Sequence, residues 1–193
     1  ERLSDRMPDV ALQRAAWTAD EAAHLASCAD CRAEWDLVLA ARRAETIEAL
    51  ARELDGLAVP TDVTRFEDLT ALVGRTLATY GRLDVLVNNA AANARGTFDT
   101  LDTAAIATVI DTNLKAPMLL TRLALPHLRQ SRGVVVNVAS IAGHVPLPHE
   151  GPYCASKWGL RGFTFAVREE LRDAGVALCV VSPGPIATPF VLD

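Results

Sequence analysis

From residue 36 onward, apolar positions fall into short solid runs separated by longer stretches in which they recur every three or four residues. The solid runs are "DLVLAA" (36–41), "LAVP" (57–60), "LDVLVNNAAA" (83–92), "GVVVNVAS" (133–140) and "VALCVVSPG" (176–184). Short, uncharged cores rich in β-branched residues and closed by polar or Gly/Pro turns predict strands buried on both faces. Between them, "AETIEALAREL" (44–54) puts Ile47, Leu50 and Leu54 at helical spacing, and "FEDLTALVGRTLATYG" (66–81) is helical and stops at Gly81. Residues 101–129 and 152–174 carry two more helical patterns. Strand–helix alternation with solid strands predicts an α/β fold, a Rossmann-like doubly wound parallel sheet with helices on both faces.

Residues 1–35 differ in character. They are Ala-rich, hold no Gly and one Pro (Pro8), and predict two short helices, about 8–16 and 20–34, with Asp20 placed to cap the second. Because residues 21–55 contain neither Gly nor Pro, one long helix through them is a competing reading. It would delete the strand at 36–41, since short apolar runs are ambiguous between strand and helix.

Composition narrows the class. The chain has 193 residues, half of them apolar, and a formal net charge of −5. That supports one ordinary core plus a small appendage. Without a basic stripe, nucleic acid is excluded as a partner. The apolar runs are too short for a membrane span, and no signal segment opens the chain. Four cysteines at uneven spacing do not make a disulfide framework. The expected setting is reducing and cytoplasmic.

The sharpest chemical signal is "YCASK" (153–157). On a helix Tyr153 and Lys157 share a face, and a neighbouring ammonium favours a phenolate, lowering a pKa ordinarily near about 10. Such a pair can give or take a proton near neutral pH. Ser140 closes "GVVVNVAS" thirteen residues upstream, at a strand's carboxyl end, where open parallel sheets bind ligands.

Taken in order, "TDV" (61–63), "LDVLVNNAA" (83–91), "DTNL" (111–114), "VVVNVASIAG" (134–143), "YCASK" and "SPGPIATP" (182–189) resemble the short-chain dehydrogenase/reductase family across residues 36–193. The resemblance implies hydride transfer between a nicotinamide cofactor and an alcohol/ketone pair. Tyr153 would be the general acid/base, Lys157 would lower its pKa and hold the nicotinamide ribose, and Ser140 would orient the substrate oxygen. Asn113 would anchor a water linking Lys157 to solvent. Asp62 and Val63 would contact adenine, and Asn89 and Ala90 would line the cleft. Pro183, Gly184, Ile186 and Thr188 would hold the nicotinamide end. Ala41 stands where NAD-preferring members usually carry an acid, and the Arg42 and Arg43 that follow it favour NADP(H) over NAD(H); the alternative is that both are ordinary solvated residues at a helix start. His144 and His149 are expected on the rim and Cys154 in packing. Ala91 replaces the family's usual Gly, which would strain the turn if its φ were positive. A homodimer through helices 101–129 and 152–174 is also implied.

The family's glycine-rich first turn has no counterpart, since no Gly precedes Gly56. Strand one and its helix are therefore expected to be missing, and so, with the sequence stopping at Asp193 after "TPF", are the last strand and the substrate-covering segment, giving a truncated sheet with weak cofactor affinity. In place of that turn, His24, Cys28 and Cys31 fall at i, i+4, i+7, three candidate zinc ligands of the four a structural site wants. "EAAHLASCADCRAEW" (21–35) resembles the zinc-binding anti-sigma factor domain, which implies a sigma factor as partner. The organisation expected is a helical segment at 1–35 and a partial dehydrogenase domain at 36–193. Three functions stay open: an oxidoreductase, a zinc-dependent binding module, or an inactive chimera.

Overall fold

The computed structural model describes residues 36–185. The run at 36–41 becomes strand β1 (Val38–Ala41), which excludes the long-helix reading. Arg43 is extended (φ −83, ψ 92) and separates it from helix α1 (Ala44–Glu53). Strand β2 (Leu57–Pro60), helix α2 (Phe66–Tyr80) and strand β3 (Val85–Asn88) follow. Gly81 ends α2 in the left-handed region (φ 73), and its N–H returns to the Leu77 carbonyl. On α1 the buried pair is Ile47 and Ala51, one turn apart, while Leu50 and Leu54 stay exposed.

The long helical pattern after residue 101 resolves into helix α3 (Thr103–Ile110), a π-helical turn (Asp111–Lys115) and helix α4 (Ala116–Ser131). The wide turn has a cause in the sequence. Residue 117 is proline, so it has no N–H to return to the Asn113 carbonyl four residues back, and the Ala116 N–H instead reaches Asp111. Strand β4 (Val134–Val138), helix α5 (Gly151–Glu170) and strand β5 (Ala177–Val181) complete the order.

All strand pairs are parallel, but they form two sheets, β1–β2 and β3–β4–β5. Among the described residues no strand joins β1 to β3. One core nevertheless spans the division. Leu69, Leu72 and Val73 of α2 pack with Leu120, Ala124 and Leu128 of α4, with Val59 of β2, and with Leu86, Val135 and Leu178 of β3–β5. Tyr80, at the end of α2, also donates to the Leu37 carbonyl at 3.5 Å, tying α2 to the start of β1.

The described helices are distributed unevenly about β3. Asn88 and Asn137 are register partners, and they bond to Thr121 of α4 and Thr164 of α5, so both helices cover one face. Val85 and Val87 point to the opposite face and are 45% and 54% exposed. No described helix covers them.

Candidate active site

The residues predicted for the site collect at the carboxyl ends of the five strands. Arg42 follows β1, Asp62 and Val63 follow β2, and Asn89 and Ala90 follow β3. Ser140 follows β4, and Pro183 and Gly184 follow β5. A parallel sheet gathers such loops on one side because every crossover returns the chain to the same end. Ile186, Thr188, His24, Cys28 and Cys31 lie outside the described residues. Among the described residues no cluster of three or more His, Cys, Asp or Glu side chains can hold a metal ion.

Tyr153 and Lys157 sit one turn apart on α5, both buried. The Lys157 Nζ lies 5.6 Å from the Tyr153 ring centroid and donates to the Val138 carbonyl at 2.8 Å. Burial pushes this ammonium down to about 8. Burial also pushes the Tyr153 phenol up from its ordinary value, hydrogen bonding with Ser140 pulls it back, Glu150 raises it and Arg95 lowers it. The lowering expected from the Tyr–Lys spacing is therefore reversed in this structure. Desolvation dominates, and the lysine's near bond goes to a backbone carbonyl.

Gly143 sets how closely the loop after Ser140 meets α5. A Cβ there would lie 2.9 Å from the Lys157 carbonyl oxygen, so only glycine lets the short helical turn Ile141–Gly143 press on the helix that carries the pair. Ser140 begins that turn, and its Oγ accepts from the Ala142 N–H at 3.2 Å.

Asn113 is fully buried in the π-helical turn. Its Oδ1 accepts from the Ala92 N–H (2.8 Å), and its Nδ2 donates to the Ala92 carbonyl (2.8 Å) and to Ser156 Oγ (3.0 Å). The side chain thus pins the loop after β3 against α5. Pro117 has no N–H to offer the Asn113 main-chain carbonyl.

At the far end, Asp62 Oδ1 accepts from the Thr64 N–H and Oγ1 (3.0 and 2.7 Å). These bonds hold its carboxyl below the usual range, with smaller help from Arg42 and Arg65. Arg42 and Asp62 are therefore electrostatic neighbours across the ends of β1 and β2. Val63 turns partly into the core, and Asn89 and Ala90 are exposed. Ala91 does not adopt a positive φ, so the turn takes alanine without strain. His144 Nε2 meets Ser182 Oγ at 2.9 Å on the exposed rim. Cys154 Sγ accepts from the Leu147 N–H at 3.4 Å, a loop-fastening contact.

Two features escaped the sequence reading. Asn88 Nδ2 donates to Asn137 Oδ1, and Asn137 Nδ2 donates to Thr164 Oγ1, both at 2.8 Å, forming a buried polar ladder from β3 through β4 to α5. An asparagine inside "VVVNV" was the available signal. Arg95 and Glu150, whose charges act on Tyr153, form an ion pair at 2.8 Å. Glu150 lies three residues before Tyr153, a spacing that faces it.

Comparison with known proteins identifies the family. The family described as short chain dehydrogenase matches residues 26–192, a span that begins before residue 36 and takes in Cys28 and Cys31. The chain belongs to this family of oxidoreductases. It is similar to the ketoacyl reductase HetN of Nostoc sp., 42% identical over 132 residues, covering 68% of this chain and 46% of that protein. It is also similar to L-fucose dehydrogenase of Bos taurus, 38% identical over 144 residues, covering 74% of this chain and 53% of that one. Thus the chain spans about half the length of these curated relatives. Among solved structures, a metagenomic short-chain oxidoreductase in complex with NADP is 35% identical with a TM-score of 0.73, covering 78% of this chain and 72% of that one.

The nicotinamide cofactor of the family can be tested against these residues. The Tyr153–Lys157 pair with the end of β5 fits its reactive end, and Arg42 with Asp62 fits its adenosine end. Among the described residues no strand–turn–helix unit stands between β1 and β3 to receive the phosphates. No helix there is long and apolar enough to cross a membrane.

Proposed function

We propose that this chain carries the proton-transfer half of a short-chain oxidoreductase site acting on a small alcohol or ketone. The observation behind this reading is the convergence of Ser140, Tyr153 and Lys157 at the sheet's carboxyl end, backed by Asn113. A bound nicotinamide would supply or accept the hydride. In the reducing direction the Ser140 and Tyr153 hydroxyls would donate hydrogen bonds to the substrate carbonyl oxygen, and Tyr153 would release its proton to that oxygen as negative charge develops. In the oxidising direction it would take the alcohol proton. Lys157 would hold the ribose hydroxyls, and the Asn113 carbonyl would hold a water leading from Lys157 to solvent. Pro183, Gly184, Ile186 and Thr188 would frame the nicotinamide end. NADP(H) is preferred over NAD(H) in this reading, because Arg42 and Arg43 follow β1 where an acid would select NAD; the NADP complex of the metagenomic relative points the same way.

The test is fluorescence titration of the purified full chain with NADPH, with bound zinc assayed alongside. Micromolar binding supports the reading. Failure to bind at millimolar cofactor overturns it for this chain. The division between β1 and β3 favours a second reading, in which the proton-transfer residues are formed but the phosphate grip is feeble. That reading predicts binding only in the millimolar range.

A further inference from the structure

The loop after β3 is fastened to the head of α5 at several points that no step above uses. Arg95 Nε donates to Glu150 Oε1 at 2.8 Å, and the Gly96 N–H donates to the His149 carbonyl at 3.0 Å. Asn113 holds the same loop from the other side through both backbone groups of Ala92. The fastening carries backbone cost, since His149 is held at φ 66, a region few non-glycine residues adopt. Gly96 stands at φ 150, where glycine alone is comfortable. Glu150 precedes the first turn of α5, and its carbonyl accepts from the Cys154 N–H at 2.8 Å. Its side chain is 15% exposed and that of Arg95 41%, so this is a part-buried pair rather than a solvated one. Ion pairs that lose solvent on one side act on neighbours more strongly than exposed pairs do.

We propose that the Arg95–Glu150 ion pair is a positioning element for Tyr153: it fixes the loop after β3 over the head of α5 and sets two opposite charges beside the phenol. Among the described residues the groups facing that phenol include Ser140 from the end of β4, Glu150 just before α5, Cys154 and Lys157 from α5, and Arg95 from the loop after β3. Of the two added charges, the carboxylate favours the protonated phenol and the guanidinium favours the phenolate. The pair thus holds the tyrosine between two opposing pulls, and loss of either partner shifts it one way. This inference rests on Tyr153 being the proton-transfer group, but its test needs neither cofactor nor turnover.

The experiment is a pH titration of the tyrosine Cζ signals by carbon-13 NMR on the full chain. The sequence has two tyrosines, so Tyr80→Phe leaves Tyr153 alone in the spectrum. In that background Glu150→Gln, which keeps the shape and a hydrogen bond to Arg95, is expected to move the Tyr153 midpoint down. Arg95→Met is expected to move it up, and Arg95→Lys to leave it near the parent. A merely structural role would move Glu150→Gln and Arg95→Met in the same direction, or neither. Either result overturns the proposal, as does Arg95→Lys shifting as far as Arg95→Met. If Arg95→Met loosens the fold, the Glu150→Gln and Arg95→Lys pair decides alone. A chain that fails to bind NADPH yet shows the opposed shifts would lose the oxidoreductase reading and keep the charge-setting role.

Discussion

The two sheets use the same parallel pairing and strands of nearly equal length, yet they are supported unequally. Sheet β3–β5 has α4 and α5 on one face, a buried polar ladder through Asn88, Asn137 and Thr164, and Leu86, Val135 and Leu178 in the core. Sheet β1–β2 is covered by α1 through Ile47 and Ala51 and enters the common core chiefly through Val59. The site is divided along the same line. Ser140, Asn113, Tyr153 and Lys157 stand on the well-supported side, and Arg42, Asp62 and Val63 stand on the lighter one. Local stability follows the number of buried contacts that must be broken to open a region. Among the described residues the proton-transfer end therefore has the larger buried support, while the adenosine end rests on two paired strands and α1.

The largest expected effect lies on the better-supported side. Tyr153→Phe should lower whatever turnover the chain has by about 10²–10⁴-fold, the usual contribution of a positioned acid/base. NADPH affinity and melting temperature should change little. A variant retaining most of its rate would remove Tyr153 from the chemistry. Next comes Leu128→Ala, at a side chain with no exposed surface in the shared core. It should cost about 2–5 kcal/mol in denaturant melts. Amide exchange should show the inequality directly, with β1 and β2 exchanging before β3–β5 in the parent. Equal protection of the two sheets would dissolve the comparison.

Legibility in the sequence follows the same division. The strands and helices from 36 to 184 were readable because solid runs and helical spacing report burial, and burial decides both. The π-helical turn was not, although Pro117 was in view, because a single missing N–H changes one turn without changing the apolar pattern. The Tyr153–Lys157 pairing was legible from spacing, but the direction of the phenol's shift was not. That depends on desolvation and on Arg95, which comes from a loop 58 positions away along the chain, and neither is written in local spacing. Residues 1–35 carry the zinc reading and lie outside the described residues, although the family match already begins at residue 26.

A smaller effect separates Lys157 from the remaining alkaline groups. Its folded value of about 8 lies below the ordinary 10.5, so between these the unfolded chain binds the extra proton. Stability linked to Lys157 is then present above about 10.5 and is lost as pH falls through about 8. The phenols of Tyr80 and Tyr153 and the Cys179 thiol are raised by burial and work in the opposite direction. They are shared by a Lys157→Met variant, so the difference between the two proteins isolates the lysine. The parent should gain roughly 1–3 kcal/mol relative to the variant across that window, read as urea midpoints at stepped pH. Parallel curves would mean that Lys157 is solvated.

The smallest effect probes the light side. Arg42 is exposed, and its measurable neighbour is the Asp62 carboxylate at the end of β2. A 2′-phosphate placed there would compete with Asp62 for the guanidinium, so the net gain is that of one partly screened charged hydrogen bond. Arg42→Ala should therefore reduce the preference for NADPH over NADH by about tenfold, measured as the ratio of two Kd values. NADH affinity itself should stay nearly constant. If both affinities fall together, Arg42 supports β1 and does not read the phosphate. If neither changes, the adenosine end does not engage cofactor, and binding rests on the three-stranded side alone. The ratio thus reports whether the two-stranded sheet holds its place when a ligand spans the division.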